Sequence, residues 1–107
     1  MDWYIIEYLY PNSFKLFIDT MFPSTGILSI SVLKNYDIKK LYNFFDKQEI
    51  YLILELHCSN RWNYGIQVNN WYISSDVFEK TREDIEAEGF TYCFKKLEEK
   101  ICKKLTV

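Results

Sequence analysis

A histidine beside a cysteine, His57-Cys58, is the first pair in this chain whose types could do chemistry, since an imidazole can activate a thiol. The pair sits in a stretch of alternating apolar residues, and neighbours on a strand point to opposite faces. His57 and Cys58 are therefore not expected to meet. His57 is the one histidine of the chain, so a zinc site would have to recruit the remaining cysteines, Cys93 and Cys102. Nine helical residues place those two half a revolution out of phase and about 13 Å apart. No metal site is expected. Three cysteines without CxxC spacing also argue against a disulfide framework and for a reducing compartment. Each reads best as a small core residue.

Acids cluster as Glu83-Asp84, Glu86, Glu88 and Glu98-Glu99, with no glycine-bearing loop or EF-hand spacing among them. The helix dipole accounts for the first cluster, and a solvated helix face for all of them. GxGxxG, Walker, GxSxG and HExxH motifs are missing from the sequence. No acid, base and nucleophile assemble into a set. The expectation is a protein without catalytic residues or a cofactor.

Recognition remains, and the elements decide which side chains share a surface. Leu52, Leu54, Leu56 and Cys58 alternate with Tyr51, Ile53, Glu55 and His57; Trp62, Tyr64, Ile66 and Val68 alternate with Asn63, Gly65 and Gln67. Directly opposed residues share a face, so the apolar rows must oppose each other. A two-residue turn at Ser59-Asn60 sets apolar against polar. A three-residue loop, Ser59-Asn60-Arg61, pairs Cys58 with Trp62, Leu56 with Tyr64 and Leu54 with Ile66. Asn69-Asn70 then closes a second hairpin that pairs Val68 with Trp71, Ile66 with Ile73 and Gln67 with Tyr72. Residues 50–75 thus read as a three-stranded antiparallel meander with one greasy face and one mixed face.

Thr81 opens a long helix over 81–105, with Asp84 three residues on as a partial capping box. Its apolar stripe is Ile85, Phe90, Cys93, Phe94, Leu97, Ile101 and Leu105, which needs the greasy sheet face as its cover. Gly89 inside that helix costs about 1 kcal/mol relative to Ala, and reads as room for Trp62 or Trp71. Smaller helices are expected near 12–22, opened by Pro11, and near 37–47, capped by Asp37. Residues 3–10 read as a short strand or extended arm, and 27–33 as strand or helix. The whole is an α+β fold, a single domain over residues 1–107.

Two surfaces of this fold could bind a partner. The mixed sheet face carries Tyr51, His57, Asn63, Gln67 and Tyr72, with His57 expected opposite Asn63. The same face could instead lie beneath Trp3, Tyr4, Tyr8 and Tyr10 of the N-terminal segment. The second surface is basic, with Lys34, Lys39, Lys40 and Lys47 around the helix near 37–47, and Lys95, Lys96, Lys103 and Lys104 farther on.

Composition bounds the partners. Apolar residues make up 49% and charged residues 26%, the balance of a globular chain. The net charge of −2 supplies no strong field for a phosphate backbone, so direct nucleic-acid binding is the lesser expectation. MDWYIIEYLY has no basic region and holds Glu7 in its apolar run, unlike a signal peptide. No stretch approaches the roughly 18 apolar residues of a membrane span, so no membrane partner is expected. Ile, Lys, Tyr, Phe and Asn, all with AT-rich codons, abound beside one Ala and two Arg, which points to an AT-rich genome.

Two stretches, LYNFFDKQEIYL at 41–52 and KTREDIEAEGFTYCFKKLEEKI at 80–101, resemble segments of small phage and prophage proteins of AT-rich bacteria. The chain departs from that pattern at Gly89 and Cys93, where alanines are usual. The resemblance carries over no catalytic residue. It implies a phage-encoded inhibitor of a bacterial defence system, similar to anti-CRISPR proteins, acting in the bacterial cytoplasm on a host protein or ribonucleoprotein complex such as a CRISPR effector. A toxin-neutralising immunity protein and a small nucleic-acid-binding accessory are the alternatives.

Overall fold

The structure is a computed structural model that describes residues 1–23, 30–57 and 59–105, the last two of them by backbone alone. Its elements are α1 (Trp3–Leu9), α2 (Pro11–Met21), a 3-10 helix (Ile30–Asn35), α3 (Lys40–Lys47), β1 (Ile50–Leu56), β2 (Trp62–Val68), β3 (Trp71–Ser74) and α4 (Arg82–Leu105). The strands form an open antiparallel sheet of order β1-β2-β3, and α4 packs along β1 and β2. The fold is α+β.

In the first hairpin Leu56 faces Trp62, Leu54 faces Tyr64, Leu52 faces Ile66 and Ile50 faces Val68. The apolar rows do oppose each other, but every pair is displaced by two residues from the three-residue-loop register. His57 N–H donates to the Arg61 carbonyl at 2.8 Å and Asn60 N–H to the His57 carbonyl at 3.0 Å. Asn60 closes this turn at φ 55°, a left-handed conformation that Asn tolerates. A slip of two keeps each side chain on its face, because the strand period is two. Cys58, expected opposite Trp62, lies outside the described residues. The second hairpin is as expected: Val68 faces Trp71, Ile66 faces Ile73 and Gln67 faces Tyr72, with Asn69 at φ 57°.

Thr81 Oγ1 accepts the Asp84 N–H at 3.1 Å and starts α4. Ile85, Phe90, Cys93, Phe94 and Leu97 are buried along its stripe. Burial alone pushes the Cys93 thiol well above its ordinary range. The residue that Gly89 admits is Leu52 and not a tryptophan, since a Cβ there would stand 2.5 Å from Leu52 Cδ1. Trp71, by contrast, is 75% exposed, on a strand that lies beside the α4 packing against β1 and β2.

Residues 3–9 form a helix rather than a strand or arm. Asp2 Oδ1 accepts the N–H groups of Tyr4 and Ile5 at 3.1 and 3.2 Å, capping α1. Trp3 and Ile6, one helical turn apart, are its buried residues. Trp3 stacks on Phe17 with centroids 5.2 Å apart, and Phe17 meets Phe94 and Phe44 edge-on at 5.7 and 5.3 Å. Much of the aromatic excess is thus core. Of residues 27–33, open to strand or helix from the sequence, 27–29 lie outside the described residues with 24–26, and Ile30–Asn35 is a 3-10 helix with Leu33 buried.

Two of the acids read as solvated are structural. Pro11 begins α2, whose N-cap residue Tyr10 offers no side-chain bond. Glu98 of α4 supplies the cap, accepting the Asn12 and Ser13 N–H groups at 2.8 and 3.1 Å and Asn12 Nδ2 at 2.8 Å. Burial would raise the Glu98 carboxyl, but these donors outweigh it and hold the group below the usual carboxylate range. Glu86 is 8% exposed and accepts the Tyr42 hydroxyl at 2.5 Å. Burial first, then that bond, pushes the Tyr42 phenol up.

Candidate functional site

On the face away from α4, the register sets Tyr51, Gln67 and Tyr72 side by side across the three strands. Ile53 follows two residues along β1 on the same face. Tyr51, Ile53 and Tyr72 are 42%, 39% and 48% exposed, and Gln67 is exposed as well. Gly65 sits beneath the Tyr72 ring, where any Cβ would overlap the phenol. The ring crosses that gap and its hydroxyl donates to Glu55 Oε1. The bond to Glu55, with burial second, pushes the Tyr72 phenol up to about 12.

Beyond Glu55 the network continues through His57 and Asn63. Glu55 is the residue opposite Asn63; His57, expected there, is its diagonal neighbour. Asn63 Nδ2 donates to the Ser75 carbonyl at 3.3 Å, which leaves Oδ1 to accept from His57 Nε2 at 2.9 Å. Glu55 Oε2 lies 3.7 Å from the same nitrogen. Asn63 is only 3% exposed, so it orients His57 and offers no anchor to a partner.

Phe78, which the sequence did not single out, lies edge-on to the His57 ring at 5.3 Å. Tyr64 accepts from Ser75 N–H, whereas Trp62 exchanges both backbone bonds with Glu79. Two residues of β2 thus span four of the opposite chain, and 76–78 loop outward. Spacing of apolar residues gives no signal for such a bulge.

The N-terminal segment does not cover this face: α1 packs against α2, α4 and the 3-10 helix. The network contains a histidine, an amide, a carboxylate and a phenol, and its geometry orients side chains. Among the described residues no group of three His, Cys, Asp or Glu could hold a metal ion, and no helix is long and apolar enough to cross a membrane.

The lysines of the second surface are exposed, Lys34 on the 3-10 helix, Lys39 just before α3, and Lys40 and Lys47 on α3. Seven residues bring Lys40 and Lys47 to one side of that helix. Farther on, Lys95 and Lys96 lie over the Tyr92 ring at 5.5 and 5.4 Å, and Lys96 also pairs with Glu99 at 3.3 Å. No protein-family model matches the chain, and no curated protein or solved structure shows significant similarity to it.

Proposed function

We propose that this chain is a non-catalytic binding protein that docks on a partner protein through the mixed sheet face. The observation that carries the reading is the exposed row Tyr51, Gln67 and Tyr72, with Ile53 beside it and Tyr72 held in place by Gly65 and Glu55. Tyrosines fixed before binding lose little conformational freedom on docking, which is why they recur as hot spots. The narrower reading is a phage-encoded inhibitor of a bacterial defence complex, anti-CRISPR-like in action. Its support is the resemblance carried by residues 41–52 and 80–101.

Affinity capture from a bacterial lysate, with mass-spectrometric identification, tests both levels. The wild-type chain is expected to retain a component of a CRISPR effector or another defence complex, and Tyr51→Ala to release it. Capture of a secreted or antibacterial toxin would make the chain an immunity protein. Retention of nucleic acid, falling steeply with salt, would move function to the lysines.

A further inference from the structure

β3 is an outer strand of the sheet, and of its residues Trp71, Tyr72 and Ser74 are exposed. Ser75 N–H bonds to the Tyr64 carbonyl, so Trp71, Ile73 and Ser75 direct their backbone groups at β2. Those of Tyr72 and Ser74 point away from the sheet. No described strand pairs with that edge. β3 also carries neither Lys nor Pro, the residues that commonly blunt an edge.

On the side facing α4, Trp71, Val68 and Ile73 form the apolar wall of a groove of about 360 Å³. Lys96, Lys100 and Lys103 line the other wall, spaced i, i+4 and i+7 along one side of α4, with Lys100 Nζ donating to the Gln48 carbonyl at 2.8 Å. Glu99 also lines the groove and is paired with Lys96. A free strand edge, an exposed tryptophan and a cationic wall therefore adjoin one another.

We infer that the β3 edge and this groove receive an extended acidic segment of the partner protein, added as a fourth strand. Its backbone pairs with the outward N–H and C=O groups of Tyr72 and Ser74. An apolar side chain of the segment lies on Trp71 and Ile73, and its carboxylates face the lysines. Single-stranded nucleic acid is the weaker fit, because it has no alternating N–H and C=O ladder to offer a strand edge. The inference rests on the reading of the chain as a protein binder, but uses a surface that the Tyr51 side chain does not touch.

An acidic peptide of alternating Glu and Val is the probe, with a Lys-Val peptide and oligothymidine as comparisons. Each is titrated into the full chain while tryptophan emission and amide exchange are followed. The acidic peptide is expected to shift an emission component missing from Trp71→Phe and to slow exchange at Tyr72 and Ser74. Lys103→Glu should weaken binding about tenfold or more, and Lys15→Ala, on the exposed side of α2, should leave it unchanged. No response to the acidic peptide, equal binding of the Lys-Val peptide, or a response to oligothymidine alone overturns the inference. Partner capture that depends on Tyr51 while the acidic peptide fails would sink this inference and leave the mixed-face reading standing.

Discussion

Leu52 of β1 presses so closely on Gly89 of α4 that a Cβ there would lie 2.5 Å from Cδ1 and 3.1 Å from Cδ2. Helix and sheet meet at a distance that glycine permits. Alanine would favour the helix by about 1 kcal/mol, but overpacking against a buried leucine costs about 1–3 kcal/mol. Gly89→Ala should therefore lose up to about 2 kcal/mol in urea unfolding. In a Leu52→Ala background the same change should be neutral or stabilising, a coupling that a double-mutant cycle reads directly. Additive losses would show that Leu52 is not what Gly89 accommodates.

Glu98 links the start of α2 to the last third of α4 through bonds to Asn12 and Ser13. Its carboxyl is held below the usual range, so its contribution is present above about pH 4.3, the unfolded value, and is lost as pH falls through the folded one. Glu98→Gln should cost about 1 kcal/mol near neutrality and flatten the acid limb of the stability curve. An unchanged acid limb in this variant would mean that the cap adds nothing to stability.

Tyr72 supplies the alkaline counterpart. Its phenol is pushed up to about 12 by the Glu55 bond and by burial. A raised folded value contributes stability that is complete below about pH 10 and is lost as pH climbs toward the folded value. Burial raises the phenols of Tyr36, Tyr42 and Tyr64 as well, so Tyr72→Phe should remove part of the alkaline loss and not all. Gly65→Ala should displace the Tyr72 ring and return one tyrosine to ordinary titration, measured by phenolate absorbance.

Alternation made the sheet legible, and its limits explain what was misplaced. Leu52, Leu54 and Leu56 against Trp62, Tyr64 and Ile66 settle which face each residue takes. They do not distinguish a register from its neighbour two residues away, because both oppose apolar to apolar. The left-handed turn at Asn60 decides that, and it separated His57 from Asn63 by one diagonal step. Gln67 and Tyr72, in contrast, are paired as read because the second hairpin's turn is short enough to have one register, whereas Tyr51 joins their row only through the displaced first register, which sets it opposite Gln67. Residues 3–9 misled because Trp, Tyr and Ile favour strands, whereas Asp2 as a cap and the Trp3–Ile6 spacing carried the helix signal. Glu86 and Glu98 were indistinguishable from solvated acids, since their partners Tyr42 and Asn12 are brought in by folding from far along the chain.

Affinity and melting temperature of Tyr51→Ala, measured side by side with the captured partner, bear most directly on the mixed sheet face as the docking surface. Tyr51 is 42% exposed and projects from the face opposite α4, so its removal should leave the melting temperature close to that of the wild type. Affinity should fall about ten- to hundred-fold, equivalent to about 1–3 kcal/mol. Wild-type affinity in a variant that melts normally would contradict docking through this face.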